Sequence, residues 1–239
     1  MFGCLVLSKY LKNDEEIYRK TEIPIADGRW LFKFLVMQIL EYISKCQDIS
    51  IDKFKIALVT DNNDDLITYY IEELCNKTKK LKIITGHREK FHNLEEKLYY
   101  HDGVVLEISN NKRKALQDID IIFNFGLEED KINKYKISEK SIIINLKEKI
   151  QIKSKRFSGI NINYYQIDFN NRLIENLEWT KEFEKEDLYE SYIYRKGNII
   201  DIAKGIIKDN LEIKSLIGNK GSISEKEYQN ILDKSYDLA

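Results

Sequence analysis

From Lys55 onward, short runs of Ile, Leu and Val alternate with longer amphipathic stretches, and few folds accommodate that rhythm. Residues 55–60 (K-I-A-L-V-T) read as a strand buried on both faces, while residues 66–76 place Ile67, Tyr70, Ile71 and Leu74 at helical spacing. A second strand at 81–85 ends at Gly86, and Phe91, Leu94, Leu98 and Tyr99 trace a helix that stops before Gly103. A third strand at 104–109, a short helix around 112–117, and strands at 120–125, 141–146 and 160–167 complete the series. Strands joined by helices predict an α/β fold: a Rossmann-like doubly wound parallel sheet of about six strands. The expected strand order is 3-2-1-4-5-6, with helices on both faces and a ligand crevice at the carboxyl ends of the first and fourth strands.

The flanking segments follow other patterns. Pro24 marks a break, after which Asp27 reads as the N-cap of one helix carrying Trp30, Leu31, Phe34, Leu35, Leu40 and Ile43. Residues 178–187 are rich in charge, and 188–207 read as a helix with Ile199, Ile202, Ala203 and Ile206 in a stripe. Gly218 and Gly221 bound a loop, and Ser224 with Glu227 form a capping box for a last helix. The expected organisation is an N-terminal helical and strand extension over 1–52, the Rossmann-like domain over 53–170 and a C-terminal helical segment over 171–239.

Composition narrows the partners. The 39 basic and 40 acidic residues leave a net charge of -1, without the basic excess of a dedicated nucleic-acid binder, although a local basic face is compatible with it. The longest apolar stretch, residues 30–43, is interrupted by Lys33, Gln38 and Glu41, so no membrane span is expected, and the N-terminus lacks the pattern of a signal peptide. Cys4, Cys46 and Cys75 are widely spaced and odd in number, which fits buried thiols better than a disulfide framework or a zinc site. The excess of Ile, Lys and Asn suggests an AT-rich bacterial source. The expectation is a cytoplasmic protein with a small molecule or a protein as partner, compatible with a homodimer.

A dinucleotide-binding unit carries G-x-G-x-x-G after its first strand, because the glycines allow a tight turn and close approach to pyrophosphate. Here the turn is Thr60-Asp61-Asn62-Asn63-Asp64-Asp65. No glycine remains, and three carboxylates stand where a phosphate would bring negative charge. Ordinary pyrophosphate binding is disfavoured. Asp64 or Asp65 can instead cap the following helix, the acids can form a functional anionic site, or Asp61, Asp64 and Asp65 can ligate a hard cation. Capping is the commonest role for Asp at such a position.

Several of these residues suggest a relationship. Residues 81–90 (L-K-I-I-T-G-H-R-E-K) resemble the end of the second strand in shikimate dehydrogenases and glutamyl-tRNA reductases, in which an arginine faces the adenosine phosphate of NADP; Arg88 is the matching position. Residues 120–126 (D-I-I-F-N-F-G) resemble their fourth strand, with Asn124 at the position beside the nicotinamide and with Phe125 and Gly126 departing from the pattern. Residues 141–146 (S-I-I-I-N-L), with Asn145 where an aspartate is usual, and 159–168 (G-I-N-I-N-Y-Y-Q-I-D) continue the likeness, which covers about residues 53–170. It implies an NAD(P)-binding topology with Thr60, Asn62, Asp65, Arg88 and Asn124 around the cofactor site. No catalytic residue carries over: the substrate domains of those families precede the first strand and are about a hundred residues long, a typical domain size, whereas some fifty residues stand there in this chain, and neither Cys4 nor Cys46 lies in a matching motif.

The remaining signals are weaker. His87 and His92 are spaced so that they do not share a helix face, and His101 falls near a helix end, so a histidine metal site is not expected. Tyrosines such as Tyr10, Tyr69, Tyr70, Tyr99, Tyr100, Tyr164 and Tyr165 fit packing at half-buried surfaces. Residues 147–156 (K-E-K-I-Q-I-K-S-K-R) read as a solvated basic connection that could touch an anionic partner. The sequence therefore points to a degenerate NAD(P)-binding module without dehydrogenase activity, for which no cofactor is assigned and NADP is implied only by the resemblance. The rival is an NADP-dependent oxidoreductase with an unusual phosphate loop.

Overall fold

The computed structural model describes residues 4–12, 15–20, 22–168, 181–194, 198–208 and 211–231. The central strands are β3 (Ile56–Val59), β4 (Leu81–Ile84), β5 (Glu107–Ser109), β6 (Ile121–Asn124), β7 (Ile142–Asn145) and β8 (Ile160–Asp168), preceded by the two-residue strands β1 (Leu5–Val6) and β2 (Ile25–Ala26) with helix α1 (Glu15–Lys20) between them. Every residue of β3, β6 and β7 is buried, which is why their sequences are continuous apolar runs. The six pair in parallel in the order β5-β4-β3-β6-β7-β8. This is the expected Rossmann-like order. Two further strands, β9 (Glu212–Gly218) and β10 (Gly221–Ser222), extend the sheet antiparallel beyond β8, so the C-terminal segment is not helical throughout.

Helices cover one face. Helix α4 (Asp65–Lys77) follows β3 and α5 (His92–Asp102) follows β4; both contribute to a core shared with α3 (Val36–Gln47), with β9 and with residues Tyr228 and Ile231 of the last helix, Glu225–Ile231. The other face departs from the expectation. Residues 112–118 form successive turns rather than a helix, the helix α6 (Glu129–Ile132) has four residues, and 147–157 run as loops, so Leu116, Leu127 and Ile150 seal that face from irregular chain. Ile150 is buried, which makes the basic segment 147–156 more than a solvated connection. The region is too rich in Lys, Asn and Asp to sustain a helical stripe, and side-chain bonds such as Asn111 Oδ1 accepting from the backbone of Arg113 and Lys114 favour turns.

The N-terminal helix also differs. It is two helices, α2 (Arg29–Phe32) and α3, separated at Lys33–Leu35 by the i,i+3 bonds Phe34 N to Leu31 O (2.8 Å) and Leu35 N to Phe32 O (3.3 Å). Phe32 stacks on Tyr165 with ring centroids 4.7 Å apart, and Phe34 packs on Trp30 at 4.6 Å, so tertiary contacts fix a bend that periodicity does not register. Asp27 is not the N-cap; Gly28 is, and Asp27 Oδ1 accepts from Arg29 N at 2.9 Å. Beyond β8, the helices α7 (Lys185–Tyr194) and α8 (Ile199–Lys208) replace the expected single helix over 188–207. Within α8, Ile202, Ala203 and Ile206 are buried while Ile199 is exposed. Part of the charge-rich stretch, 178–180, lies outside the described residues, as do 195–197. In the last helix, α9 (Glu225–Ile231), Glu227 Oε2 accepts from both the backbone N and the hydroxyl of Ser224 at 2.8 Å, one half of the expected capping box. Of the tyrosines, Tyr10, Tyr99 and Tyr100 are exposed rather than half-buried.

Gly28 is required by its position. Its φ is +76°, and a Cβ there would come 2.3 Å from Tyr164 Oη. Gly28→Ala combines a left-handed backbone with a collision, and is expected to cost about 1–3 kcal/mol in urea unfolding. A variant as stable as the parent would show that this junction relaxes freely.

Candidate functional site

The turn from β3 to α4 lies at the carboxyl edge of the sheet, where a dinucleotide would bind in this topology. The chain's own groups fill it. Thr60 is buried, and its hydroxyl accepts from Asn62 N (3.1 Å) and donates to Asn62 O (3.0 Å). Asp61 Oδ1 accepts from Gly86 N across the crevice at 3.0 Å, and Lys90 Nζ donates to Asp61 O at 2.9 Å. Asn63 Nδ2 donates to Lys90 O (2.7 Å), and its Oδ1 accepts from the Thr68 hydroxyl (2.9 Å). Asp64 is the N-cap of α4, its Oδ1 accepting from Ile67 N at 3.0 Å. A carboxylate therefore occupies the end of the helix dipole that a phosphate would use.

The other expected ligands divide. Asp65 is exposed in the first turn of α4, and Asn62 is exposed beside it. Arg88 stands in the single turn Arg88–Phe91 with its side chain 69% exposed, paired with Glu95 at 3.4 Å. His87 is also exposed and faces Glu89 at 3.2 Å. Asn124, by contrast, points into the protein. Its Oδ1 accepts from Gly126 N (3.3 Å) and Leu127 N (2.9 Å), and its Nδ2 donates to Leu127 O (2.9 Å) and Asn145 Oδ1 (3.3 Å). Its amide is consumed by the turn that ends β6, so the structure brings Thr60, Asn62 and Asp65 onto one turn but does not present Asn124 to a ligand. Among the described residues no group of three or more His, Cys, Asp or Glu is placed to hold a metal.

Asn124 opens a ladder of asparagines along the carboxyl edge. Asn145 Nδ2 lies 2.8 Å from Asn161 Oδ1 and 3.0 Å from Asn163 Oδ1, and Asn163 Nδ2 lies 2.7 Å from Asn219 Oδ1 in the turn between β9 and β10. Asn163 Oδ1 also accepts from Ile150 N at 2.9 Å. The signal in the sequence was an Asn closing each of β6 and β7 and a pair of Asn in the first half of β8, of which only Asn124 and Asn145 were singled out.

A second polar cluster was not recognised from the sequence. Glu186, Asp187 and Glu190 project from one face of α7 and are 4%, 0% and 3% exposed. Glu190 accepts from Leu31 N (2.8 Å) and Asp27 N (3.3 Å), and Glu186 accepts from Ile167 N (2.8 Å) in β8. Lys12 pairs with Asp187, while Arg29 donates to Asn163 O at 2.6 Å and lies over the Tyr164 ring. Burial is the largest influence on all three carboxyls. It pushes Glu190 up to about 7 and Asp187 to about 6, the latter against the opposing pull of Lys12, and it raises Glu186. Tyr164 and Tyr165 face the same cluster, and burial raises both phenols, reinforced by the neighbouring carboxylates.

No protein-family model matches the chain, and no curated protein sequence matches it significantly. Among solved structures, L-tryptophan dehydrogenase from Nostoc punctiforme is similar with a TM-score of 0.38 and 15% identity, over 82% of this chain and 54% of that enzyme. This chain thus spans about half the length of that enzyme. The strand order, rather than this distant likeness, defines the fold as Rossmann-like.

Two expectations follow from the geometry. Asp64→Ala should cost about 0.5–2 kcal/mol, the usual range for a lost cap, while Asp65→Ala, which makes no cap bond, should stay within about 0.5 kcal/mol. Equal effects in denaturant melts would remove Asp64 from the capping role. The α7 carboxyls have folded pKa values above their unfolded ones, so the folded chain holds extra protons. That stability is fully present at acid pH and is lost as pH rises through the range up to about 7. Glu190→Gln should flatten the decline between about pH 5 and 8 by about 1–3 kcal/mol. An unchanged slope in melts across that range would place the titration elsewhere.

Proposed function

We propose that this chain is a Rossmann-like binding module related to NAD(P)-binding dehydrogenases of the shikimate dehydrogenase or glutamyl-tRNA reductase type, with no dehydrogenase activity of its own. The observation that carries this reading is the Asp64 carboxylate on the N-terminus of α4, within a turn where Thr60 bonds to the backbone of Asn62 and Asn63 to Thr68. A pyrophosphate at that place would displace a cap and approach Asp61 and Asp65, and like charges a few ångströms apart cost on the order of a few kcal/mol in a partly shielded site. The inward Asn124 amide supports the same reading, because it leaves no side-chain amide from β6 for a nicotinamide.

One observation favours the rival, an NADP-dependent oxidoreductase: Arg88 is exposed and, among the described residues, is held only by a long contact to Glu95, so it is available to a phosphate. Calorimetry with NADPH and NADH separates the two. The module reading expects binding no tighter than roughly millimolar, about -4 kcal/mol. Micromolar binding that is abolished in Arg88→Ala would overturn it.

A further inference from the structure

We infer that the amino-terminal edge of the sheet, opposite the closed crevice, binds a small molecule carrying two or more oxyanion charges, of phosphate or carboxylate type, in a cavity lined by Lys55, Lys79, Lys80 and Lys82. The inference deepens the binding-module reading and rests on it for the closure of the carboxyl edge.

The cavity has a volume of about 300 Å³ and lies where β5, β4, β3 and β6 begin. Its floor includes the side chains of Leu81 and Ile119, and its walls hold the four lysines together with Glu107 and Asp118. Both carboxylates are committed. Asp118 places both oxygens 2.7 Å from Lys55 Nζ, and Glu107 lies 2.8 Å from Lys82 Nζ. Lys79 and Lys80 are exposed and make no ion pair among the described residues, and although Asp52 lies within electrostatic reach of Lys80, the lining holds four lysines against two carboxylates. The field continues along the edge. A second cavity of about 420 Å³ begins at Gln117, the neighbour of Asp118, and is lined by Lys136 and Arg156 where β7 and β8 begin.

Size and lining select the ligand class. A cavity of about 300 Å³ falls at the lower end of small-molecule sites, and concentrated lysines over an apolar floor suit a compact molecule with several oxyanion charges. Nucleic acid fits less well. None of the side chains lining this cavity is aromatic, so bases would find nothing to stack on, and a net charge of -1 provides no general attraction for a polyanion.

The test titrates the full chain with tripolyphosphate and, separately, with citrate, by calorimetry at about 0.05 M and about 0.5 M salt. Saturable binding of either probe at a single site is expected, weakened at least about ten-fold in Lys79→Ala/Lys80→Ala and unchanged in Arg88→Ala. Both lysines are exposed, and a melting curve matching the parent's confirms that the double variant is folded. The probe that binds identifies the oxyanion as phosphate or carboxylate. The inference is overturned if neither probe saturates, if the double variant keeps the parent affinity, or if a single-stranded oligonucleotide binds more tightly than tripolyphosphate through the same lysines. Failure of the module reading has a different signature, NADPH binding that is lost in Arg88→Ala, and leaves the lysine result untouched.

Discussion

A parallel sheet buried on both faces ends, at its carboxyl edge, in polar groups that must find partners. Each such group left unpaired out of water costs about 1–3 kcal/mol. In a dinucleotide-binding protein a cofactor meets part of that demand. Here side chains meet it: Asp64 at the helix terminus, Asp61 bridging to Gly86, and the asparagine ladder from Asn124 to Asn219. Asparagine suits this role because one amide both donates and accepts, so each inner rung accepts from the amide before it and donates to the one after it. At the carboxyl edge the Asp64 and Asp61 bonds tie the turn after β3 to its own helix and to the end of β4.

The same demand explains the charged face of α7. The backbone N–H groups of Asp27 and Leu31 in the leader and of Ile167 in β8 receive bonds from Glu190 and Glu186. Those carboxylates join the leader to the sheet, and Tyr164 and Tyr165 add bonds to the carbonyls of Asp27 and Gly28. Acceptance of a hydrogen bond stabilises a carboxylate, and Lys12 adds an opposite charge at Asp187, yet burial outweighs both and the carboxyls titrate high.

How much of this was legible depends on the range of the cause. The strands β3, β6 and β7 were readable because burial on both faces writes itself into consecutive residues. The Asp64 cap was readable as one of three alternatives because its partner is three residues away. Strand β9 was hidden by a bulge: Ser215 pairs with Gln166 and Ile213 with Ile167, which leaves Lys214 as the extra residue and breaks the alternation that marks a strand. A second irregularity, at Asn163, aims that side chain into the ladder, so its role depends on a register that no local pattern encodes. Glu186 and Asp187 read only as part of a charge-rich stretch and Glu190 only as part of a helix, because their partners lie far away along the chain, Asp27 being 163 residues from Glu190.

The charges at the two ends of α4 have a cause that is only partly local. Helices on a doubly wound sheet run opposite to the strands, so their N-termini gather at the carboxyl edge and their C-termini at the amino edge. The dipole accordingly favours Asp64 and Asp65 at the start of α4 and Lys77 in its last turn. That effect fades within a turn. Lys80 precedes β4 and Lys82 lies on it, beyond the end of the helix, and Lys55 leads into a different strand. Their convergence on one cavity therefore exceeds what stabilising the helix requires. Two of the four lysines hold the cavity's acids in place, which leaves Lys79 and Lys80 in excess of the cavity's own carboxylates, with Asp52 outside its lining but within electrostatic reach of Lys80.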